Sequence, residues 1–249
     1  MSFGQPSRSP YVKDGRTFVR VTSAIGIIDK SGPLMHWAAK TERAAIVGRL
    51  QDILKGDEPL TVNELNSFIQ DLGDAHFYRA ASEEAAGIGR VVHGACEADM
   101  KGLPIPPFGR PEEEAAFQSY LNWKQQSDVS DAECEVELYH DRLGYAGRAD
   151  CIARVNGVLT MIDFKTSNNL YPENKLQVAA YADAARENGY DIQAGLLLLI
   201  PKTEGNKFQT QAMSQDDLAD GMLGFLHALG LYKHFNPQGA KKQVRRAKA

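Results

Sequence analysis

The chain has 249 residues, 43% of them hydrophobic, 24% charged and 8% aromatic, with a formal net charge of −4. Such a composition excludes wholesale disorder and a collagen-like chain, and the longest apolar run, Gly195 to Ile200, is too short to span a bilayer. Mild acidity taken alone argues against a nucleic-acid partner.

In chain order, residues 1–16 are rich in Ser, Gly, Pro and Arg and read as a flexible lead-in. They carry no charged-then-apolar leader, so a cytoplasmic location, in a bacterial or phage-infected cell, is the expectation. Thr17 to Val21 suits a short strand, and Ser23 to about Met100 reads as helical. There Leu34, Trp37, Ala38, Ala45 and Ile46 approximate one face. Thr61 and Glu64 have the capping-box spacing ahead of Leu65, Phe68, Ile69 and Leu72. Ser82, with Glu83 and Glu84, suits the start of a helix that runs through His93 and Glu97. The proline-rich stretch Gly102 to Pro111 breaks this pattern.

A helix over Glu112 to Gln126 follows, then a strand over Glu133 to His140. Tyr145 to Val155 and Val158 to Thr166 form a hairpin turned at Asn156-Gly157. Pro172 opens a helix that closes near Asn188-Gly189. Ala194 to Ile200 reads as a fully buried strand, Lys207 to Gln211 as a short one, and Gln215 to His234 as the last helix. The fold class is α/β, with an N-terminal helical portion over 17–111, a mixed core over 112–239 and a tail over 240–249. That tail holds Lys241, Lys242, Arg245, Arg246 and Lys248 and no acid; it reads as a solvated terminus or as a phosphate-attracting arm. Cys96, Cys134 and Cys151 are odd in number and far apart, which suits a reducing compartment and no disulfide framework.

Chemistry concentrates in Gly147-Arg148-Ala149-Asp150 and Asp163-Phe164-Lys165-Thr166. Side chains alternate along a strand, so Asp163 and Lys165 share one face while Ile162 and Phe164 take the other. Asp150 lies on the preceding strand, beside Asp163 if the register permits. Two adjacent carboxylates resist joint ionisation unless a cation joins them, and Mg²⁺ accepts such oxygen ligands. An Asp-x-Lys pattern alone describes an exposed ion pair equally well. Gly89, His93 and Glu97 recur on one helical face, as do Gln177 and Tyr181. Glu135 and Glu137 share a strand face, turned to a metal or to solvent.

The ordered set Gly89-x-x-x-His93, Glu137, Gly147-x-x-Asp150, Asp163-Phe164-Lys165-Thr166 and Gln177-x-x-x-Tyr181 resembles the RecB-like branch of the PD-(D/E)XK nuclease superfamily. The likeness spans roughly residues 87–184, and the branch holds recombination nucleases, phage exonucleases and mitochondrial genome maintenance exonucleases. It implies a restriction-endonuclease-like core, a central mixed sheet flanked by helices. It further implies that His93, Asp150, Asp163 and the Phe164 carbonyl hold Mg²⁺ or Mn²⁺ and that Lys165 is catalytic. Gln177, Tyr181, Thr166 and Arg148 would support the site and DNA, with Glu137 or Glu135 as outer contributors. The segment Ser31 to Lys40 resembles the N-terminal helix of phage-type members, which helps route a single strand to the site. The nominal proline of the superfamily is Ala149 or Ile162 here.

The activity implied is exonucleolytic hydrolysis of single-stranded DNA or free DNA ends, in recombination, repair or phage DNA processing. A structure-selective endonuclease, or a non-catalytic DNA-binding module of a recombination complex, are the alternatives. A recombinase, a single-strand annealing protein or a helicase are candidate partners; a membrane is not. No Walker A loop is present, so no nucleotide cofactor is expected, and three cysteines are one short of an iron–sulfur cluster.

Overall fold

A computed structural model describes residues 10–55, 61–73, 77–202 and 207–237. The basic tail and the first nine residues of the expected lead-in lie outside the described residues. The elements run β1 (Tyr11–Lys13), β2 (Arg16–Arg20), α1 (Val21–Ile25), α2 (Ser31–Leu54), α3 (Val62–Gly73), α4 (Phe77–Met100) and α5 (Pro111–Gln125). They continue with β3 (Val129–His140), β4 (Tyr145–Val155), β5 (Val158–Lys165), α6 (Pro172–Glu187), β6 (Ala194–Leu199), β7 (Gln209–Met213) and α7 (Gln215–Phe235).

The chain divides into two units, 29–87 and the remainder. This partition differs from a division at residue 111, because the half of α4 that bears Gly89 and His93 clusters with the sheet. In the smaller unit Thr61 caps α3: its backbone N–H and hydroxyl both donate to Glu64 Oε2, at 2.8 and 2.7 Å. The Tyr78 N–H donates to Glu42 at 3.1 Å, and Arg49 lies over the Phe77 ring at 4.7 Å. The apolar face expected on α2 is not buried: no residue of this helix is, and Leu34 and Trp37 are exposed. Ser82 does not open α4, which begins at Phe77, so Ser82 lies inside the helix.

The larger unit is built on a seven-stranded mixed sheet flanked by helices, an α/β fold of the restriction-endonuclease-like kind. Residues 11–16 are not a loose lead-in: β1 and β2 form a hairpin turned at Asp14-Gly15, both at positive φ (51° and 72°). The hairpin of β4 and β5 turns at Asn156-Gly157, with φ of 51° and 80°, the left-handed pair that a tight two-residue turn requires. Strand β6 pairs parallel to β5 and carries almost only leucine because both its faces are covered. On one side Leu197 joins a core with Met161, Ala149, Tyr181 and Phe225, beneath α6 and α7. On the other, Leu196, Leu198, Ile162 and Phe164 pack with Val92, Cys96, Phe117 and Tyr120 of α4 and α5.

Helix α6 buries a run of small residues, Ala179, Ala180, Ala182, Ala184 and Ala185, which lets it lie close to the sheet. Helix α7 starts in a capping box, with the Asp217 N–H donating to Ser214 Oγ at 3.2 Å. Such a cap contributes about 1 kcal/mol. The three cysteines, distant in sequence, meet in one core, where the Cys134 and Cys151 sulfurs lie 2.8 Å apart as free thiols.

One feature of the topology prepares the site. Strand β3 occupies one edge of β4 along most of its length. Strands β2 and β5 share the other edge: β2 pairs in parallel at Val19–Tyr145 and Arg20–Ala146, and β5 pairs antiparallel from Val155–Val158 to Cys151–Ile162. The C-terminal ends of β2 and β5 therefore point toward each other along β4. Between them, the edge of Gly147-Arg148-Ala149-Asp150 has no ladder partner.

Candidate active site

The site forms where β5 leaves β4. The last paired residues are Cys151 and Ile162, so Asp150 and Asp163 stand one step beyond the ladder. There a side chain takes over from the backbone: the Phe164 N–H donates to Asp150 Oδ2 at 2.8 Å. Alternation holds on β5, with Ile162 and Phe164 in the α4/α5 core. Asp163 is fully buried, and its Oδ1 has no hydrogen-bond partner among the described residues.

Lys165 Nζ lies 2.6 Å from Asp163 Oδ2 and donates to Gln177 Oε1 at 3.1 Å. Gln177 Nε2 in turn lies 3.5 Å from the Tyr181 hydroxyl, so two residues one turn apart on α6 hold the lysine in place. Gly147 makes room for this support, since a Cβ there would lie 2.5 Å from Tyr181 Cε1. His93 Nδ1 is 3.8 Å from Asp150 Oδ2, and its ring stands edge-on to Phe164 at 5.7 Å. Gly89, one turn earlier on α4, admits a side chain: its Cβ would meet Thr166 Oγ1 at 2.6 Å.

Burial pushes the Asp163 carboxyl up to about 6; Lys165 opposes that shift and Asp150 reinforces it. Burial alone would lower Lys165, but Asp163 and Asp150 outweigh it and hold the ammonium above the usual lysine range. Lys165 is thereby placed as a hydrogen-bond donor between Asp163 and Gln177. The Tyr181 hydroxyl is likewise raised, by burial first and then by Asp163 and Asp150.

Glu135 and Glu137 both neighbour Arg148: Glu135 by an ion pair, Glu137 by alignment in the β3–β4 ladder. Glu135 adopts a left-handed backbone (φ 58°), and alternation reverses there: Cys134 enters the α4/α5 core while Val136 packs toward α6. Asp150 shows the same reversal, with Cys151 in one core and Ala149 in the other. A non-glycine residue held at positive φ costs about 1–2 kcal/mol, strain of a kind that gathers at functional sites. Glu135 carries an ion pair to Arg148 Nη1 at 2.8 Å, and its carboxyl is raised by burial, against Arg148, and by Glu97 and Asp150. Glu137 instead accepts from the Tyr139 hydroxyl at 3.3 Å. Asp150 and His93 both act on the Glu135 carboxyl.

Among the described residues no three His, Cys, Asp or Glu side chains converge tightly enough to enclose an ion. The donor set matches a different kind of centre. Two neighbouring carboxylates, one with an unsatisfied buried oxygen, suit a hard cation that keeps water and phosphate oxygens for its remaining positions. His93 and the Phe164 carbonyl are the adjacent donors. No helix among the described residues is long and apolar enough to cross a membrane.

Comparison with known proteins bears on the same residues. The family model described as the PD-(D/E)XK nuclease superfamily matches residues 32–238. The mitochondrial genome maintenance exonuclease 1 of Xenopus tropicalis is 30% identical over 146 residues, covering 54% of this chain and 42% of its own. Its Homo sapiens counterpart is 30% identical over 126 residues, covering 46% of this chain and 36% of its own. The matched region thus spans less than half the length of these relatives. A family match over most of the sequence, on a mixed sheet that sets Asp150, Asp163 and Lys165 side by side, establishes that the chain belongs to the PD-(D/E)XK nuclease superfamily.

Proposed function

We propose that this chain is a divalent-metal-dependent DNA exonuclease acting on single-stranded DNA or free DNA ends. The observation that carries the reading is the buried Asp163 carboxylate, with one oxygen unsatisfied, between Asp150 and the Lys165 ammonium. Burying two carboxylates together is unfavourable unless a cation offsets them. Membership of a nuclease superfamily and relatives named exonucleases support the same direction.

Asp150, Asp163, His93 and the Phe164 carbonyl would hold Mg²⁺ or Mn²⁺. Bound there, such an ion would supply Lewis-acid polarisation of the scissile phosphate and would favour ionisation of a water. Lys165, fixed by Gln177 and Tyr181, donates a hydrogen bond to the attacking water or to a phosphoryl oxygen as negative charge develops. The leaving 3′ oxygen departs and a 5′-phosphate product remains. Thr166 and Arg148 flank the carboxylates and would contact the strand. The relatives' names place them in genome maintenance; for this chain, DNA repair or recombination, beside a helicase, recombinase or annealing protein, is the corresponding proposal.

The test is single-stranded DNA labelled at the 5′ or the 3′ end, digested with Mg²⁺, alongside a closed circular single strand. Progressive release of label with an intact circle is the expected result. Linearisation of the circle assigns an endonuclease instead, and no cleavage with either metal defeats the reading.

A further inference from the structure

The β1–β2 hairpin builds an aromatic and cationic surface next to the unpaired edge of β4, and of its residues the chemistry above uses only Arg148. Arg20 is the last residue of β2, aligned with Ala146. Its guanidinium lies 4.8 Å over the Tyr11 ring. Tyr11 stands edge-on to Tyr139 at 6.0 Å, and Phe18 does the same at 5.3 Å. Arg148, two residues along β4 from that row, holds Glu135 at 2.8 Å.

Burial raises the Tyr11 hydroxyl, while Arg148 and Arg20 both act to lower it, so two cations converge on this one phenol. The cluster adjoins the site: Arg148 is two residues from Asp150 on β4, and Arg20 aligns with Ala146, two residues before Arg148. Gly147 and Ala149 are buried, whereas Arg148 between them is exposed, as expected for opposite faces of a strand. At about 3.3 Å per residue, Arg148 lies about 7 Å along β4 from Asp150, and the Arg20 row about 13 Å.

We propose that Tyr11, Arg20 and Arg148 form a phosphate subsite for the DNA strand beside the bond that is cut. The subsite rests on the nuclease reading for its ligand. Guanidinium groups are suited to the task because their planar N–H donors match phosphate oxygens. Tyr11 stacks against the Arg20 guanidinium and so lowers the entropy lost when it engages a phosphate. Local cations of this kind reconcile a chain of net charge −4 with a polyanionic substrate.

The test measures binding of a fluorescein-labelled single-stranded oligodeoxynucleotide in a Lys165→Ala background with Mg²⁺, across a salt series. Arg20→Gln is expected to weaken binding about three- to tenfold and to lower the slope of log affinity against log salt by about 0.7, the value for one phosphate contact on a single strand. Arg20→Lys keeps the slope and recovers part of the affinity. Tyr11→Phe weakens binding about twofold at an unchanged slope.

A single neutral methylphosphonate walked along the oligonucleotide finds one linkage whose penalty disappears in Arg20→Gln. Wild-type affinity and slope in Arg20→Gln, with an unchanged unfolding midpoint, overturn the subsite, as does a penalty that persists at every linkage. The two readings fail separately. A chain that cleaves DNA with an Arg20-independent slope loses only the subsite. One that binds through Arg20 but never cleaves keeps the subsite and loses the nuclease.

Discussion

The two ends of the β4–β5 hairpin have opposite characters. At the Asn156-Gly157 end, pairing is complete down to Val155–Val158, and the turn residues adopt the conformation that the strands demand. At the other end the ladder stops after Cys151–Ile162, and two carboxylates occupy the next position. The first end lowers the energy of the fold. The second raises it, because Asp163 is buried with an unsatisfied oxygen. The comparison shows how a small sheet carries an unfavourable pair: a well-formed turn and two packed cores fix the strands that hold it.

The largest expected effect tests the strained end directly. Lys165→Ala should reduce metal-dependent cleavage about 10²–10³-fold, the usual cost of removing a donor aimed at developing charge, while the far-UV spectrum is unchanged. Wild-type rates in that variant would remove the end from the chemistry.

Glycine substitutions at the two ends sharpen the contrast. Gly147→Ala forces a Cβ within 2.5 Å of Tyr181 and should cost about 1–3 kcal/mol in denaturant unfolding, together with loss of cleavage as Tyr181 and Gln177 shift. Gly157→Ala strains a φ of 80° at the turn and should cost about 1 kcal/mol with cleavage unchanged. Equal loss of activity in both variants would erase the distinction.

Proton linkage gives a third measure. The folded Asp163 titrates near 6, above the ordinary carboxylate value of 3.8. The folded state therefore binds one proton more than the unfolded state between these values, and this group's contribution to stability falls as pH rises from about 4 to about 6. Without divalent ion, the loss of stability across that window should be absent from Asp163→Asn. Mn²⁺ should raise the wild-type unfolding midpoint but not that of the variant, and its affinity in calorimetry should fall below about pH 6 as protons compete. The smallest effect lies far from the hairpin: Ser214→Ala should cost about 1 kcal/mol through the α7 cap, with cleavage intact.

Much of this was legible in the residues because strong local signals agreed with the tertiary structure. Asn156-Gly157 marks its hairpin, Pro172 and Gly189 bracket α6, and the apolar run at 194–199 reads as a covered strand. Periodicity alone pairs Asp163 with Lys165 on β5 and Gln177 with Tyr181 on α6; the family resemblance joins both pairs to Asp150. Other features had weaker signals. The Asp14-Gly15 turn that makes β1 sits in a Gly- and Pro-rich stretch that reads as loop. Ser82 has the chemistry of a cap but lies within α4, where the helix is already under way. The reversal at Glu135 has no sequence signature, because glutamate seldom adopts positive φ and does so here inside a paired strand.

The unpaired run from Gly147 to Asp150 also behaves as a ruler. Strand β2 anchors its near end and β5 its far end, so the number of residues between them sets which side chains meet. One residue added or removed there would exchange the two faces of β4 on one side of the change and pull Asp150 away from Asp163. The loop between β3 and β4 meets no such constraint from the carboxylates. Length variation in this fold is therefore tolerable at the sheet's turns and forbidden within that short span, where a single residue of chain is worth as much as a catalytic side chain.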